Sequence, residues 1–323
     1  MIDPRRMDDL ISLHDDHVFR RAEALDRGYD DQDLRQWVRG GELTRIRQGA
    51  YVQTTIWDDA DDIERHRLRA HAVLRSHDVP LALSHTSAAV EHGLRLFRPH
   101  LKKVHVLCLG SPIARTTRDI VYHRGTYTDE DFVSVGAQRV VDPVLAGLQA
   151  ASLSDVAAGI VTLDSVIDLK KGTLDEIHAR YEQIAGHPFS RTLQITVRLV
   201  RTGANSVGES LSRHMMWTQH LPEPTLQFEV RDEHGRLIGI TDFAWPEHGV
   251  LGEFDGMQKY GRLLKEGQLP GDVVEAEKVR EDALRGATNW LMVRLIWSEI
   301  FKPGMTAAKI RHQLERGHRL LVA

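Results

Sequence analysis

The sequence has little of three features that define common protein classes: cysteine, net positive charge and long apolar runs. Cys108 is the only cysteine among 323 residues, so no disulfide can form within the chain and a reducing cytoplasm is the expected compartment. The formal net charge is −4, so any DNA binding has to come from local basic patches. No apolar run approaches a membrane span and no signal peptide is recognisable, so we expect no membrane association.

Familiar catalytic motifs are also missing. There is no Walker loop and no glycine-rich dinucleotide fingerprint, so no nucleotide cofactor is expected. Several histidines of the middle segment lack cysteine or acidic partners at metal-ligand spacing, which favours ordinary surface or core histidines. These histidines are His66, His71, His85 and His92. Hydrophobic residues make up 41% and charged residues 27%, which is typical of a globular protein with two or three domains at this length.

We predict a multidomain α+β protein with three parts. Residues 1–56 are expected to form a first domain of short helices and a hairpin, and residues 57–198 an α+β middle domain. Residues 199–323 are expected to form an α/β domain. The division follows the change from short helices to mixed helices and strands, and then to a long strand hairpin.

The amino-terminal segment has the pattern of short helices followed by a hairpin. A second helix is predicted over Phe19–Arg27 and ends at Gly28. A third is predicted over Gln32–Arg39, capped by Asp30 or Asp31. The following LTRIRQGAYV alternates as a hairpin does, and a hairpin after a helix-turn-helix defines a winged helix.

This segment resembles the amino-terminal winged-helix domain of AbiEi-type antitoxins, regulators of a type IV toxin–antitoxin class. The resemblance is carried by FRRAEALDRGYDDQDLRQWVRGGELTRIRQGAYV, with Gly-Ala-Tyr near the wing tip. In that family the module binds promoter DNA. Docking geometry then places Arg35, Gln36 and Arg39 in the major groove. Arg45 and Arg47 on the wing would meet phosphates or the minor groove.

An alternative for this segment stays open. Its acidic residues nearly cancel its arginines, and winged helices also serve as protein-contact or dimerisation modules.

The middle segment, with its SHTSAAVEHGL helix, is similar to the carboxy-terminal region of AbiEi proteins, where a "SAA…HGL" helix precedes strands. Within it, Asp142-Pro143 indicates the start of a helix.

The carboxy-terminal segment is organised around one hairpin, RLIGITDFAWPEHGVLGEFDGMQKY. Three carboxylates, Asp242, Glu253 and Asp255, lie on its two strands. Acids on adjacent strands repel one another unless a cation lies between them, and oxygen ligands of this kind suit Mg²⁺ or Mn²⁺. Lys259 follows directly and would stabilise charge on a phosphate. The alternative is that the acids coat a solvated face or form structural salt bridges.

The predicted order of helix, three-stranded meander, helix and strand is typical of a restriction-endonuclease-like core. The stretches GES, TDFAWPEH, GEFDG, EKVREDALR and VRLIW resemble Vsr-like nucleases of the PD-(D/E)XK superfamily. The resemblance implies that Asp242 and Glu253 bind the metal and that Glu209 assists. The alternative for Glu209 is a pair with Arg213, four residues further along the same helix.

The match departs from the nuclease pattern at its catalytic base. Asp255 stands where the pattern places lysine, which leaves Lys259, Lys278 and Arg280 as the nearby basic candidates. Arg280 and Arg294 have an alternative role as structural partners of nearby acids. Those acids are Asp255, Glu277 and Glu281.

Three functional hypotheses follow, and DNA is the partner in the first two. One is a metal-dependent DNA endonuclease that carries its own DNA-binding module, in phage defence or a toxin–antitoxin setting. The other is a non-catalytic AbiEi-like repressor or antitoxin with a cognate toxin or a second copy as a further partner. A scaffold with a dimerising winged helix is a third. The nuclease hypothesis requires these carboxylates to lie close together. If a guanidinium already neutralises each of them, the metal site is lost and only the DNA-binding hypothesis remains.

Overall fold

The computed structural model describes residues 5–77, 79–109, 114–125, 127–184, 190–256 and 270–323. Side chains at 5, 6, 8, 190 and 270–278 lie outside this description. The chain forms two compact units. The first comprises Met1–Asp155 and Asp175–Leu193, and the second Val156–Leu174 and Gln194–Ala323. The predicted three-way division at residues 56 and 198 remains a proposal.

The amino-terminal part of the first unit combines three helices with a small sheet. The elements are α1 Arg5–Ile11, β1 Phe19–Arg20, α2 Arg21–Asp26, α3 Asp31–Gly40, β2 Leu43–Arg47 and β3 Ala50–Gln53. The sheet order is β1-β3-β2. The predicted third helix and hairpin are confirmed. The prediction that Phe19 begins a helix is wrong, because Phe19 pairs with Tyr51 and is fully buried.

The rest of the first unit is built on a six-stranded mixed sheet, in the order β6-β7-β5-β4-β9-β8. The elements are α4 Thr54–Asp59, α5 Asp62–Arg75, β4 Leu81–Leu83, α6 His85–Glu91, β5 Val104–Cys108, β6 Arg115–Thr116, β7 Ile120–His123, β8 Phe132–Val135, β9 Gln138–Val141 and α7 Pro143–Ser152. Asp142 caps α7 by accepting the amides of Val144 and Leu145, as the Asp-Pro pair predicts. The short helix α4 follows β3 directly.

The remaining elements include a second mixed sheet. They are α8 Val156–Asp168, α9 Leu174–Ile184, α10 Ser190–Leu199, α11 Val207–Thr218, β10 Thr225–Arg231, β11 Leu237–Trp245, β12 Val250–Asp255, α12 Pro270–Thr288, β13 Leu291–Ile296, α13 Trp297–Ile300 and α14 Pro303–Leu321. The sheet order is β10-β11-β12-β13, antiparallel except for the parallel β12–β13 pair. The predicted order of helix, meander, helix and strand is therefore observed.

Hydrophobic clusters pack on both faces of this second sheet. Met215 and Met216 of α11 pack with Phe243 and Val293, and Ile310 of α14 joins them. Gly249, with φ of 60°, ends the turn between β11 and β12, where a left-handed backbone favours glycine. Within the described residues, no helix has both the length and the apolar character needed to cross a bilayer.

Candidate functional site

The third helix presents a basic face to solvent. The Asp30 side chain accepts the amides of Gln32 and Asp33, and Gly41, with φ of 84°, ends the helix. Leu34 and Trp37 are buried on the inner face. The exposed side chains of the outer face include Arg35, Gln36 and Arg39. The three residues predicted for the major groove therefore lie together on one solvent-facing surface.

The wing arginines have different surroundings. Arg45 is exposed on β2. Arg47 is half-buried, and its Nε donates a hydrogen bond to Asp119 Oδ2 at 2.9 Å. Burial would raise the pKa of Asp119, but the bond and charge of Arg47 lower it. The side chain of Arg47 is therefore held by a carboxylate of the same unit, and its contact with DNA remains a prediction.

Three acidic residues of this segment lie at the start of α3. Asp31 forms a bidentate pair with Arg21, with both N–O distances at 2.6 Å. Asp30 and Asp33 form a reciprocal capping box. Acids near a helix start are stabilised by its dipole. These carboxylates are thus ion-paired or hydrogen-bonded within the segment, and they lie at the opposite end of α3 from Arg39.

The two central acids of the predicted nuclease site lie on neighbouring strands. Asp242 on β11 and Glu253 on β12 lie one position beyond the Phe243–Gly252 pair of the ladder. The Asp242 carboxylate accepts the amide of Phe254 at 2.8 Å. Glu253 is buried and forms an ion pair with Arg280 of α12. Arg280 also donates to the carbonyl of Ile240 at 3.1 Å, which fixes the guanidinium above these strands.

Glu209 serves its own helix. Its carboxylate accepts the amide of Asn205 at 2.9 Å and the hydroxyl of Ser206 at 2.6 Å. Ser206 in turn accepts the amide of Glu209, so the two side chains close the first turn of α11. The guanidinium of Arg213 forms its salt bridge with Asp164, at 2.7 Å. The carboxylate of Glu209 therefore caps its own helix, and the metal role proposed for it remains a prediction.

The other predicted residues add little to an acidic pocket. Asp255 is half-buried at the end of β12. Lys259 lies outside the described residues, and so does the side chain of Lys278. Arg294 pairs with Glu281 at 2.8 Å, which confirms one of the structural alternatives. Arg280 has a structural partner too, but it is Glu253, which was not among the acids considered.

Three of the four histidines singled out in the sequence are buried and make polar contacts within the fold. His66 contacts the carbonyl of Leu101 and the hydroxyl of Ser87, at 3.0 and 2.8 Å. His92 Nε2 donates a hydrogen bond to the carbonyl oxygen of Val141 at 2.7 Å. His71 lies between Asp16 and Glu91, each at 2.9 Å. The expectation of core histidines is confirmed for these three.

The acids of the predicted nuclease site do not assemble a ligand set. Among the described residues, one group of three potential metal ligands has donor atoms that all lie within 4.8 Å of one another, and it contains none of these acids. That group includes His85 and lies in the first unit. The assignment of Asp242, Glu253 and Glu209 to a metal therefore remains a prediction.

Comparison with protein families gives one match, at the amino terminus. Residues 5–52 match the family described as "Transcriptional regulator, AbiEi antitoxin". The matched range contains α1 to α3 and the β2–β3 hairpin almost completely. No curated protein is similar enough to the chain to count as a match. The amino-terminal segment is thus similar to that family over residues 5–52, and the match does not extend to the second unit.

Proposed function

We propose that this chain is a DNA-binding transcriptional regulator whose amino-terminal segment contacts DNA as a winged helix. The observation that carries the proposal is the exposed Arg35, Gln36 and Arg39 face of α3, inside the segment matched by the regulator family. The order α1-β1-α2-α3-β2-β3 supports a winged helix, with β2 and β3 as the wing. Self-association or a cognate toxin are the further partners we propose.

Each exposed side chain suits a specific DNA contact. Arginine donates two bonds to the O6 and N7 of guanine, and glutamine pairs in the same way with adenine. In this proposal α3 lies in the major groove, where Arg39 and Gln36 contact base edges and Arg35 contacts base or phosphate. Arg45 on the wing contacts the phosphate backbone or the minor groove. Because the net charge is −4, affinity depends on these few positive groups.

The first prediction tests α3. Arg39→Ala should weaken binding to the promoter of the protein's own operon about tenfold or more, since loss of one base-contacting arginine costs about 1–3 kcal/mol. Affinity of the wild-type chain should fall steeply as salt is raised. Fluorescence anisotropy with labelled promoter duplexes, at two or more salt concentrations, measures both effects.

A matched control is available in Arg198→Ala. Arg198 is exposed on α10, away from the matched segment, so its loss removes one positive charge without changing the α3 face. We expect promoter affinity close to wild type for this variant. If wild-type protein fails to bind the promoter at low salt, or if both variants lose affinity equally, DNA contact by α3 is excluded.

Metal-dependent DNA cleavage is the second candidate. Its support is the position of Asp242 and the buried Glu253 on adjacent strands, at the edge of a ladder. The residues do not fit Mg²⁺ or Mn²⁺ as they stand, because Glu253 is paired with Arg280 and Asp242 accepts a backbone amide. No hydrolytic step is derived from this arrangement.

The second prediction follows from that mismatch. We expect no metal-dependent cleavage when the purified chain is incubated with single- and double-stranded DNA and either Mg²⁺ or Mn²⁺. Product formation followed on denaturing gels measures this. Cleavage that disappears in Asp242→Asn, but persists in Glu247→Gln at the exposed hairpin turn, would establish the nuclease instead.

A further inference from the structure

Three histidines from separate elements meet in the first unit. One ring nitrogen from each of His85, His105 and His123 lies within 4.8 Å of the other two. His85 begins α6, His105 lies in β5, and His123 ends β7. In the parallel β5–β7 pair, Leu107 lies opposite His123. Since alternate residues share a face, His105 and His123 project to the same side of the sheet.

The three rings lie in close contact. The ring centroids of His85 and His123 are 3.6 Å apart, and those of His105 and His123 are 5.1 Å apart. His105 Nδ1 lies 2.9 Å from His123 Nε2, so one of these two nitrogens donates a hydrogen bond and the other accepts it. The cluster is partly accessible, because His85 and His123 are half-buried while His105 is buried.

Burial lowers the pKa of all three imidazoles. The pKa of His85 falls well below its usual range, with the charges of His123 and His105 adding to the effect of burial. The pKa of His105 falls to about 3, from burial and then from His123, and that of His123 falls to about 4 from burial. A neutral imidazole keeps the lone pair that a metal ligand requires.

The surroundings hold His85 in an uncommon conformation. Its φ is 49°, in the left-handed region that residues other than glycine rarely adopt. The amide of His85 donates to Gln149 Oε1 at 3.0 Å, and its Nδ1 lies 3.1 Å from the hydroxyl of Ser84. Such backbone outliers persist where neighbouring groups hold them, and they concentrate at functional sites. A polar contact at Nδ1 leaves Nε2 to face a ligand, as is usual for metal-bound histidine.

We propose that His85, His105 and His123 bind one Zn²⁺ ion, with a fourth coordination position open to water. Zinc suits three neutral imidazoles, whereas Mg²⁺ and Ca²⁺ prefer oxygen ligands. Tetrahedral coordination with Zn–N distances near 2.0–2.1 Å requires nitrogens about 3.3 Å apart. That spacing lies between the 2.9 Å of the His105–His123 contact and the 4.8 Å limit of the group. The ion ties the start of α6 to β5 and β7.

Zinc binding is tested with untagged, full-length protein stripped by chelator. Isothermal titration with ZnCl₂ should give one site per chain, and Co²⁺ should give the visible absorption of a four-coordinate ion. At a hundredfold excess of zinc over its Kd, the thermal midpoint should rise by about 5–10 °C. Failure of the wild-type chain to bind either ion would overturn the proposal.

Variants assign the ligands. His105→Gln and His123→Gln remove a zinc ligand but keep a polar side chain, and His85→Asn keeps a residue that tolerates the left-handed backbone. Each should lose the Co²⁺ band and the zinc-dependent thermal shift, while the exposed His100→Gln keeps both. Equal zinc binding by wild type and by all three variants would overturn the assignment. Circular dichroism of the metal-free proteins identifies any variant that fails to fold, and the remaining variants then decide.

Discussion

Replacing Asp164 by alanine should lower the free energy of unfolding of the second unit by about 3–5 kcal/mol. Asp164 on α8 is 1% exposed and pairs with Arg213 of α11 at 2.7 Å. It also accepts the hydroxyl of Ser210 at 2.8 Å and the amide of Arg201 at 3.1 Å. Alanine would leave a buried guanidinium without a counter-ion and two donors without an acceptor.

The expected loss of stability comes from leaving Arg213 buried without a counter-ion, rather than from losing a strongly favourable ion pair. Burial raises the pKa of Asp164, although Arg213 and Ser210 act to lower it, so ionisation in this site carries a net penalty. Replacing a buried ion pair by apolar residues of similar size is often neutral. The double variant Asp164→Leu with Arg213→Met should therefore recover at least half of the stability that Asp164→Ala loses.

Urea unfolding combined with hydrogen exchange measures this prediction in the full chain. Peptides from α8 and α11 report on the second unit, and peptides from α5 and α6 report on the first. We expect the loss of protection to be confined to the second unit. A loss below about 1 kcal/mol for Asp164→Ala, or a double variant as unstable as the sum of both single changes, would contradict the role given to this pair.

Local pattern was sufficient for most elements. The hairpin predicted from RLIGITDFAWPEHGVLGEFDGMQKY is observed as β11 and β12. Asp30 and Gly41 at the two ends of α3 also follow from capping chemistry that acts over a few residues. Phe19 was misplaced because its strand has two residues, and its β structure comes from pairing with Tyr51, far along the chain.

The ion-pair partners of side chains were harder to predict than the helices and strands, because the packing of the folded chain brings together residues that are distant in sequence. Arg213 has Glu209 one helical turn away, yet it pairs with Asp164, 49 residues distant in sequence. Glu253 likewise pairs with Arg280, 27 residues away. Whether a cation or a guanidinium compensates such a carboxylate depends on helix packing, which sequence spacing does not contain.

The histidine cluster illustrates the same limit. His85 was considered as a ligand and set aside for lack of nearby partners, while His105 and His123 were not considered at all. The sheet order β7-β5-β4 brings the three together, although they span 85 to 123 in the chain. The available signal was weak: a histidine inside the apolar strand Val104–Cys108, and another at the end of a neighbouring strand.

A second stability prediction concerns the attachment of the amino-terminal segment within the first unit. Asp16, just before β1, lies 2.9 Å from His71 of α5 and 2.7 Å from Arg75. His71 also lies 2.9 Å from Glu91 of α6. Burial would lower the pKa of His71, but hydrogen bonds to Asp16 and Glu91 raise it to about 9. His71 is therefore a buried cation that holds two carboxylates.

The pH dependence follows from the direction of these shifts. The pKa of His71 rises from 6.5 to about 9, so its contribution is complete below about pH 6.5 and is lost as pH rises through about 9. Burial would raise the pKa of Asp16, but bonds from His71, the Val18 amide and Arg75 lower it to about 2. The contribution of Asp16 is present above its unfolded pKa of 3.8 and is lost as pH falls through about 2.

His71→Gln should consequently destabilise the first unit by about 3 kcal/mol near pH 6, because one pKa unit is worth about 1.4 kcal/mol. Near pH 10 the wild type has lost the same stabilisation, so the two proteins should differ by about 1 kcal/mol or less. Urea unfolding with hydrogen exchange on α5 and α6 peptides at both pH values measures the difference, and the exposed His100→Gln serves as the control. A difference that is equal at both pH values would show that His71 acts through its shape and neutral hydrogen bonds.

Because the network joins Asp16 to α5, His71→Gln should also weaken promoter binding near pH 6 more than near pH 10, while Arg39→Ala weakens it at both.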